Sequence, residues 1–367
     1  MNKVEQVLLE ELRDVVDTKK IQAAYDNIFN SSEYLVLYGC GEVGTTLFDD
    51  CHASGIKVDF FCESEGGKNI GRNLYGVKCI SFKELLAFRD NVSVIVANGD
   101  ARNVCQNLRS NGFTNIHFVS HFHVRMFNDI KNATFSDFEL KVKQLHSILF
   151  DYMSFVVAMT VLIETYKFDF DYERIAGLCS QNQYFPKDII RLTDSESFVD
   201  AGAFDGDTIN IFMQKVKTWR GIYAFELSEN NYNTLQEKIS GLNGVKTYPF
   251  GLSDKQGEVQ YSEKGNSSVV CLGDETKTGK LARLDDVLKN EPVTFIKMDI
   301  EGAEVSALKG AEKIIRTQKP KCAISVYHDP AHIFEVPFLL KQYVPEYRLF
   351  FRHHSQFPYE TVCYAIL

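Results

Sequence analysis

Two glycine-rich turns, each between an apolar run and a segment of helical periodicity, most constrain how this chain can fold. The first turn, VLYGCGEVGTTLF, contains Gly39, Gly41 and Gly44. The second, FVDAGAFDGDTINIF, begins at Phe198 in the other half of the chain. A strand, a glycine turn and a helix form the repeating unit of open parallel sheets, which bind ligands beside the carboxyl ends of their strands. The two turns in a chain of 367 residues therefore predict two α/β domains.

Apolar runs that alternate with helix-like segments extend this pattern around each turn. The predicted strands lie in YLVLY, KVDFFCES, VSVIVANGD and IHFVS, and then in SFVDAGAF, GIYAFEL, VKTYPFGLS, VTFIKMDIEG, CAISVYHDP, YRLFF and TVCYAIL. Long amphipathic stretches between the two groups predict helices. We predict an N-terminal helix over residues 1–30, a Rossmann-like domain over 31–125, a helical connector over 126–194 and a second α/β domain over 195–367.

Composition narrows the class of protein. A net charge of −9 argues against nucleic acid as the main partner, because phosphate binding requires a basic face. Nine scattered cysteines without a CxxC pair favour a reducing compartment over a disulfide framework or a metal site, so we expect a cytoplasmic protein without a bound metal. The most apolar run, MSFVVAMTVLI, is too short to span a bilayer and predicts a buried helix. A homo-oligomer is compatible with this composition.

Acidic residues distinguish the second turn from an ordinary dinucleotide site. Asp200 ends the apolar run, Gly202 allows a sharp turn, and Asp205 and Asp207 follow. These carboxylates would repel the pyrophosphate that dinucleotide sites hold at this point. They suit a ligand with positive charge, such as the sulfonium and ammonium groups of S-adenosylmethionine. As an alternative, Asp205 and Asp207 only cap the following helix.

Further polar residues stand where the next strands end. Glu226 closes GIYAFE and is placed to bind ribose hydroxyls. Ser253, in GLSD, follows the third strand and fits against an adenine. Asp299, with Glu301 and Glu304 close behind, follows the fourth strand. Because the carboxyl ends of parallel strands share one edge of a sheet, we expect these residues to converge on one pocket.

The C-terminal half, from about residue 183 to 366, resembles the FkbM family of S-adenosylmethionine-dependent methyltransferases. The matching motifs occur in order as YFPKDIIRL, FVDAGAFDGDT, IYAFEL, GLSDKQGEV, LDDVL and FIKMDIEGAEVSALKGA. Family members often have Glu-Pro where this chain has Glu226-Leu227, a difference that affects the loop and not the acid. The resemblance implies a class I, Rossmann-like methyltransferase domain with S-adenosylmethionine as cofactor.

The same resemblance implies O-methyl transfer to a saccharide or saccharide-bearing acceptor, and cofactor-site roles for Asp200, Gly202, Glu226 and Asp299. The sequence pattern adds Asp207 and Ser253 to this cofactor set. In NQYFPKD, an aromatic side chain at residue 184 or 185 is a candidate for stacking on the acceptor, with core packing as the alternative.

A hydroxyl is a poor nucleophile, so the reaction calls for a nearby base. His328, in SVYHDP at a strand end, is the first candidate because histidine accepts protons near neutral pH; a structural hydrogen bond is the alternative role. His354 and Asp299 are the next candidates. Metal assistance by Asp299 with Glu301 or Glu304 stays an alternative, although no recognised ligand spacing supports it.

The first turn has the G-x-G-x-x-G spacing, and Glu63 follows the next strand as a candidate ribose ligand. This region resembles the nucleotide-sugar-binding domains of certain sugar acetyltransferases. It could bind a nucleotide or nucleotide-sugar, serve as an empty scaffold for docking or dimerisation, or bind NAD(P). Two alternatives to the methyltransferase follow: an NAD(P)-dependent oxidoreductase, and a non-catalytic nucleotide- or nucleotide-sugar-binding protein of glycan assembly.

Overall fold

A computed structural model describes residues 3–120, 123–124, 127–128, 135–264, 267–270 and 277–367. The chain divides into two compact units, the first formed by Met1–Leu140 with Met159–Ile175 and the second by Lys141–Ala158 with Ala176–Leu367. Each unit contains a mainly parallel sheet with helices, which confirms the predicted α/β fold class. No helix among the described residues is long and apolar enough to cross a membrane.

The first unit contains a six-stranded sheet in the order β3-β4-β2-β1-β5-β6. Only the β3–β4 pair is antiparallel. The strands are β1 (Tyr34–Tyr38), β2 (Phe60–Glu63), β3 (Asn73–Leu74), β4 (Val77–Ser81), β5 (Val92–Val96) and β6 (Ile116–His117). Leu37, Phe61 and Ile95 are fully buried on its central strands, as expected for a parallel sheet that is covered on both faces.

Local side-chain capping marks where several helices of the first unit begin. The Asp17 carboxylate accepts the backbone N–H of Lys19 at 2.9 Å, before the second helix, and Ser81 and Glu84 form a capping box at the fourth. The helices are α1 (Lys3–Val15), α2 (Thr18–Phe29), α3 (Glu42–Ala53), α4 (Phe82–Leu85) and α5 (Ala101–Ser110), with a 3₁₀ helix at Leu86–Asn91.

The strands that follow in the chain all belong to the second unit. They are β7 (Ser197–Ala201), β8 (Gly221–Phe225), β9 (Val245–Tyr248), β10 (Phe250–Leu252), β11 (Gly257–Lys264), β12 (Ser267–Val270), β13 (Lys277–Ala282), β14 (Phe295–Met298), β15 (Lys321–Ser325), β16 (Arg348–His353) and β17 (Thr361–Ile366). Seven of them form the main sheet in the order β16-β17-β15-β14-β7-β8-β9. Strand β17 is antiparallel to both of its neighbours.

A second, four-stranded sheet in the order β10-β13-β11-β12 accompanies the main sheet. The sequence did not predict strands β11, β12 and β13. Their segments, such as GEVQYSEK, alternate polar and apolar residues with few bulky apolar side chains, so they lack the apolar runs that predicted the other strands.

The remaining helices include the one predicted for the most apolar run, which is α7. They are α6 (Phe135–Ile148), α7 (Tyr152–Tyr166), α8 (Tyr172–Ala176), α9 (Asp207–Lys215), α10 (Glu229–Ile239), α11 (Leu284–Val287), α12 (Glu304–Gly310), α13 (Glu312–Gln318) and α14 (His332–Tyr343). Gly206 is the N-cap residue before helix α9, and its left-handed backbone (φ 87°) ends the second glycine turn.

The core of the second unit fixes the strands that carry the predicted site. Phe198 of β7 stacks on Phe212 of α9 with ring centroids 4.7 Å apart, and Phe295 of β14 packs beside them. Phe185 joins this aromatic cluster, so of the two candidate acceptor aromatics it takes the core-packing role. The packing holds β7 and β14 side by side, with their carboxyl ends at one edge of the sheet.

Candidate functional site

A cavity of about 370 Å³ lies in the second unit at the carboxyl ends of β7, β8 and β14. Four of the predicted cofactor-site residues line it, namely Gly202, Asp207, Glu226 and Asp299. Open α/β sheets bind ligands in this position. The cavity also falls within the range of roughly 300–1,000 Å³ that is usual for small-molecule sites.

Gly202 allows the turn after β7 to approach the end of β14. Its φ is +75°, and a Cβ atom at this position would lie 1.9 Å from the carbonyl oxygen of Asp299. Only glycine combines that backbone conformation with that contact. The predicted role of Gly202 in shaping the site therefore has a steric reason.

Two backbone donors hold the Glu226 carboxylate at the end of β8. Phe204 N–H donates to Oε2 at 2.9 Å and Ser228 N–H donates to Oε1 at 2.8 Å. Burial raises the pKa of Glu226, and these hydrogen bonds act in the opposite direction. The carboxylate is thus fixed on the cavity wall, and its remaining lone pairs can accept hydrogen bonds from hydroxyl groups.

Asp207 and Asp205 differ in where their side chains lie. Asp207 begins α9, accepts the backbone N–H of Thr208 at 2.6 Å and lines the cavity. Asp205 pairs with Lys238 of α10 and does not line the cavity. The capping alternative therefore describes part of what Asp207 does, but it leaves the carboxylate on the wall.

Asp200 lies behind the cavity wall. Its side chain is fully buried, and Oδ1 lies 3.0 Å from Nζ of Lys297, its Cα partner on β14. Lys297 also donates to the Gly202 carbonyl at 2.7 Å and lines the cavity. Burial raises the pKa of Asp200 to about 6, against the attraction of Lys297. The structure therefore corrects the expectation that Asp200 forms part of the wall, because its carboxylate instead holds Lys297.

Ser253 also lies away from the cavity wall. Its Oγ is 3.1 Å from Ser306 Oγ, and Gly310 of α12 packs closely against its carbonyl. The residues of this strand end that line the cavity are Gly251 and Leu252. The structure therefore places Leu252, and not Ser253, on the cavity wall at this strand end.

Two tyrosines hold the Asp299 carboxylate. Tyr184 donates its hydroxyl to Oδ2 at 2.6 Å and Tyr327 donates to Oδ1 at 2.9 Å. Burial raises the pKa of both hydroxyls well above the usual value, so both act as neutral donors. Tyr184, one of the two aromatics predicted near the acceptor, lines the cavity.

His328 is paired with carboxylates on two sides. Its Nδ1 lies 2.8 Å from Glu304, and its Nε2 lies 3.6 Å from Asp299 and 3.5 Å from Glu301. Burial alone would lower the pKa of His328, but the Glu304 charge dominates the carboxylate attraction that raises it to about 10. The imidazole is therefore protonated near neutral pH and has no free lone pair for a proton, which argues against the predicted role as general base.

The other candidate histidine does not reach the cavity. His354 Nε2 lies 2.8 Å from the Tyr364 hydroxyl and its Nδ1 lies 2.9 Å from the Ser180 carbonyl. Burial lowers the pKa of His354. These contacts indicate a structural role in joining the β16–β17 connection to the segment before β7.

The structure brings together a group of possible metal ligands, but the group differs from the predicted one by including His328. Oxygen or nitrogen atoms of Asp299, Glu304 and His328 lie within 4.8 Å of one another, whereas Glu301 is outside this group. The protonated His328 already supplies positive charge to Glu304, so a further cation would have to displace its proton. That methyl transfer proceeds without a metal stays a prediction.

The sequence did not single out Glu360, in the connection before β17. Glu360 lines the cavity and has a left-handed backbone with φ 64°. Tyr184, Phe204 and Glu301 also line the cavity with positive φ, a conformation that costs L-residues about 1–2 kcal/mol. Such strained positions gather at functional sites. The segment FPYET, which contains Glu360, has the composition of an ordinary turn. The sequence therefore gave no signal that Glu360 belongs to the site.

In the first unit, the glycines of the first turn mainly allow close packing. Cβ atoms at Gly39 and Gly44 would each lie 2.1 Å from a carbonyl oxygen, of Ala97 and of Gly39 respectively, whereas Gly41 faces open space. Glycines at two of the three positions thus have a structural explanation that involves no ligand.

The candidate ribose ligand of the first unit is already hydrogen-bonded. Glu63 accepts the backbone N–H of Asn69 at 2.9 Å and its side-chain amide at 2.8 Å. Cys40 of the turn lies 3.5 Å from Cys79, sulfur to sulfur, and these cysteines form with Glu63 a second group of close metal-binding atoms. A ribose contact by Glu63 would have to compete with Asn69, and nucleotide binding here stays a prediction.

A seven-stranded sheet with one antiparallel strand and acids at the ends of β8 and β14 defines a Rossmann-like domain of the class I methyltransferase type. Residues 200–356 match the family model of the methyltransferase FkbM domain. The matched residues all lie in the second unit and include the ends of β7, β8 and β14.

Among solved structures, the chain is similar to methyltransferase FkbM from Methylobacillus flagellatus KT, with 21% identity, a TM-score of 0.77, and coverage of 100% of this chain and 99% of that chain. At this identity the match shows a shared fold. Fibrillarin from Aeropyrum pernix, solved with natively bound S-adenosyl-L-methionine, matches with 14% identity, a TM-score of 0.32, and coverage of 49% and 71%. An rRNA methylase from Streptococcus thermophilus matches with 16% identity, a TM-score of 0.31, and coverage of 53% and 91%. No curated protein matches.

Proposed function

We propose that this protein transfers a methyl group from S-adenosylmethionine to a hydroxyl of a saccharide or saccharide-bearing acceptor. The observation that carries the proposal is one cavity, lined mostly by residues of the segment that matches the methyltransferase FkbM domain, whose wall presents Glu226 and Asp299 from the strand ends on either side of β7. The eight cysteines within the described residues form no disulfide, which is compatible with the reducing cytoplasm where we expect the enzyme to act.

The polar and apolar residues that line the cavity fit S-adenosylmethionine. The fixed Glu226 carboxylate would accept the ribose hydroxyls, and Leu227, Leu252 and Leu281 provide an apolar wall for the adenine. Asp207 adds negative charge for the ammonium group. When bound, S-adenosylmethionine supplies an electrophilic methyl group on a positively charged sulfur. The protein's own part is to orient the reactants and exclude water from them.

The charges on the cavity wall favour an acceptor that is uncharged near the reacting hydroxyl. Asp299, Glu301 and Glu360 are carboxylates, while Lys297 is the only cation among the described lining residues and is paired with Asp200. A phosphate or carboxylate at this point would meet like charges without a free cation. A sugar ring can instead hydrogen-bond to the amide, hydroxyl and carboxylate groups present.

Binding of S-adenosylhomocysteine tests the proposal. The single tryptophan, Trp219, lies in the second unit, so its fluorescence can follow thermal unfolding there. Ligand at about 100 times its dissociation constant should stabilise the unit by roughly 2.7 kcal/mol. Glu226→Ala should weaken binding at least about tenfold because the ribose hydroxyls lose a charged acceptor. Glu237→Ala, at an exposed position of α10, is the matched control.

Two results would contradict this function. S-adenosylhomocysteine could fail to shift the unfolding of the wild-type protein, which would remove the cofactor assignment. NADH or a UDP-sugar alone could bind instead, which would favour the oxidoreductase or the non-catalytic nucleotide-binding alternative.

A further inference from the structure

Glu360 lies in the connection between β16 and β17 and lines the cavity. Its Oε2 accepts a hydrogen bond from the Gln183 amide, and its Oε1 has a longer contact, 3.4 Å, with the Tyr327 hydroxyl. The Glu360 carbonyl accepts the backbone N–H of His354 at 3.0 Å. These contacts hold a carboxylate oxygen toward the cavity without saturating it.

The neighbouring acid on this side of the cavity, Asp299, has hydrogen-bond partners on both of its carboxylate oxygens. Both Asp299 oxygens accept short hydrogen bonds from tyrosines, and the protonated His328 lies 3.6 Å from one of them. Asp299 therefore orients the two tyrosines, while Glu360 keeps an oxygen that can receive a proton.

The charged groups around Glu360 come from two strands, β14 and β15, and the turns that follow them. Asp299 after β14 repels its negative charge, and His328 after β15 and Lys297 on β14 attract it. Tyr184 and Tyr327 face it as neutral hydroxyls. Burial is the largest effect and, together with Asp299, raises the pKa of Glu360 to about 7. A carboxyl in this range can both accept and release a proton near neutral pH.

We propose that Glu360 is the general base of the reaction, an inference that rests on the proposed methyl transfer. The acceptor oxygen forms a bond to the methyl carbon while the carbon–sulfur bond breaks and its electron pair stays on sulfur. The hydroxyl proton passes to Oε1 of Glu360, which becomes a neutral carboxylic acid and later releases the proton to water. Gln183 holds the other carboxylate oxygen throughout.

A base must be unprotonated to act, so the direction of the pH effect is fixed. The active fraction of Glu360 rises as the pH increases through about 7, and the same change places a negative charge beside the position of the transferred methyl. A ligand that carries a positive group at that position should bind more tightly when Glu360 is ionised. This consequence can be measured without knowing the acceptor.

Sinefungin provides that measurement, because it has an ammonium-bearing carbon where S-adenosylmethionine has the methyl sulfonium. The ratio of the dissociation constants of S-adenosylhomocysteine and sinefungin is measured by calorimetry between pH 6 and pH 8. In the wild-type protein the preference for sinefungin should grow about tenfold over this range, as expected for an opposite charge within hydrogen-bonding reach. In Glu360→Gln the preference should be small and independent of pH.

Glu335→Gln, at an exposed position of α14, is the control and should keep the wild-type pH profile. A wild-type ratio that stays constant with pH would overturn the role of Glu360, and that measurement does not depend on whether the variant folds. If Glu360→Gln binds both ligands normally and the ratio of their dissociation constants keeps the wild-type pH dependence, the role of Glu360 is also overturned. The proposed function would still stand in that case. Failure of the wild-type protein to bind either ligand would instead overturn the proposed function.

Discussion

At the scale of single residues, the C-terminal unit buries opposite charges where water cannot reach them. Asp200 and Lys297 are both nearly inaccessible, and the lysine has three acceptors in Asp200 and the carbonyls of Ala201 and Gly202. A buried pair of this kind contributes little net stability, because desolvation offsets the attraction. Removing one partner is costly, however, because the other charge remains buried.

We therefore predict that Lys297→Met lowers the free energy of unfolding of the C-terminal unit by about 3–5 kcal/mol. The physical reason is the unpaired Asp200 carboxylate that remains in the core. Urea unfolding followed by Trp219 fluorescence measures the change.

The matched control is Lys246→Met, which breaks a largely exposed pair with Glu291 and should have little effect. The double variant Asp200→Asn with Lys297→Met should recover part of the loss, because no buried charge is left. A single variant as stable as the wild type would show that Asp200 is neutral in the folded protein.

At the scale of elements, the turn between β7 and α9 shapes the cavity through its backbone. Gly202 and Gly206 both have positive φ, and Gly202 contacts the end of β14 more closely than any side chain would permit. The turn and the neighbouring strand end thus depend on each other.

We predict that Gly202→Ala destabilises the C-terminal unit by more than the roughly 1–2 kcal/mol of backbone strain alone. A methyl group would collide with the Asp299 carbonyl and displace the end of β14 from the cavity. Binding of S-adenosylhomocysteine should weaken together with stability.

Gly241→Ala separates the cost of backbone strain from the cost of the steric collision. Gly241 has a similar φ of +84° but no atom within 4 Å of the added methyl, so this variant should show only the backbone cost. Equal destabilisation by the two substitutions would contradict the steric explanation for Gly202.

At the scale of the whole molecule, buried titrating groups make stability depend on pH. His353 is fully buried with Nδ1 2.8 Å from the Thr361 hydroxyl. Burial lowers the pKa of His353 from 6.5 to about 4. Between these values the unfolded chain binds a proton that the folded chain does not, so stability falls as the pH decreases from 6.5 to 4.

We predict that this group contributes about 3 kcal/mol to the loss of unfolding free energy over that interval. The measurement compares urea unfolding at pH 7 and pH 4.5, by Trp219 fluorescence, for the wild type and His353→Gln. The variant should lose less stability than the wild type. His146→Gln, at a partly exposed histidine of α6, is the control and should lose as much stability as the wild type. If His353→Gln also loses as much stability as the wild type between pH 7 and pH 4.5, His353 is not the group responsible.

The sequence predicted well those features that depend on neighbours along the chain. Gly202, Asp207, Glu226 and Asp299 line one cavity because each lies in a turn that follows a strand, and strand ends of a parallel sheet gather at one edge; their roles in binding stay a prediction. Strands β11, β12 and β13 of the small sheet were not predicted because their segments lack the long apolar runs of the other strands.

Contacts between segments that are distant in the chain determine the roles of several ionisable residues, which the positions of the strand ends do not reveal. Asp200 looked like a wall residue, but β14 lies beside β7 and brings Lys297 against it. The sequence of His328 is compatible with a base, but the Glu304 carboxylate stabilises the protonated imidazole. Glu360 has no local signal because its segment resembles an ordinary turn. Charge and hydrogen-bond partners set the chemistry of an ionisable group, and these partners are chosen by packing.

The sequence by itself determined that this chain forms two α/β units, with an acidic glycine turn at the strand ends of the second, because apolar periodicity and glycine act locally. Only the tertiary structure decided which acids face the cavity, which are neutralised behind it and which keep a free oxygen. Those properties depend on distances of a few ångströms between residues far apart in the chain, and in a partly buried site such distances control protonation.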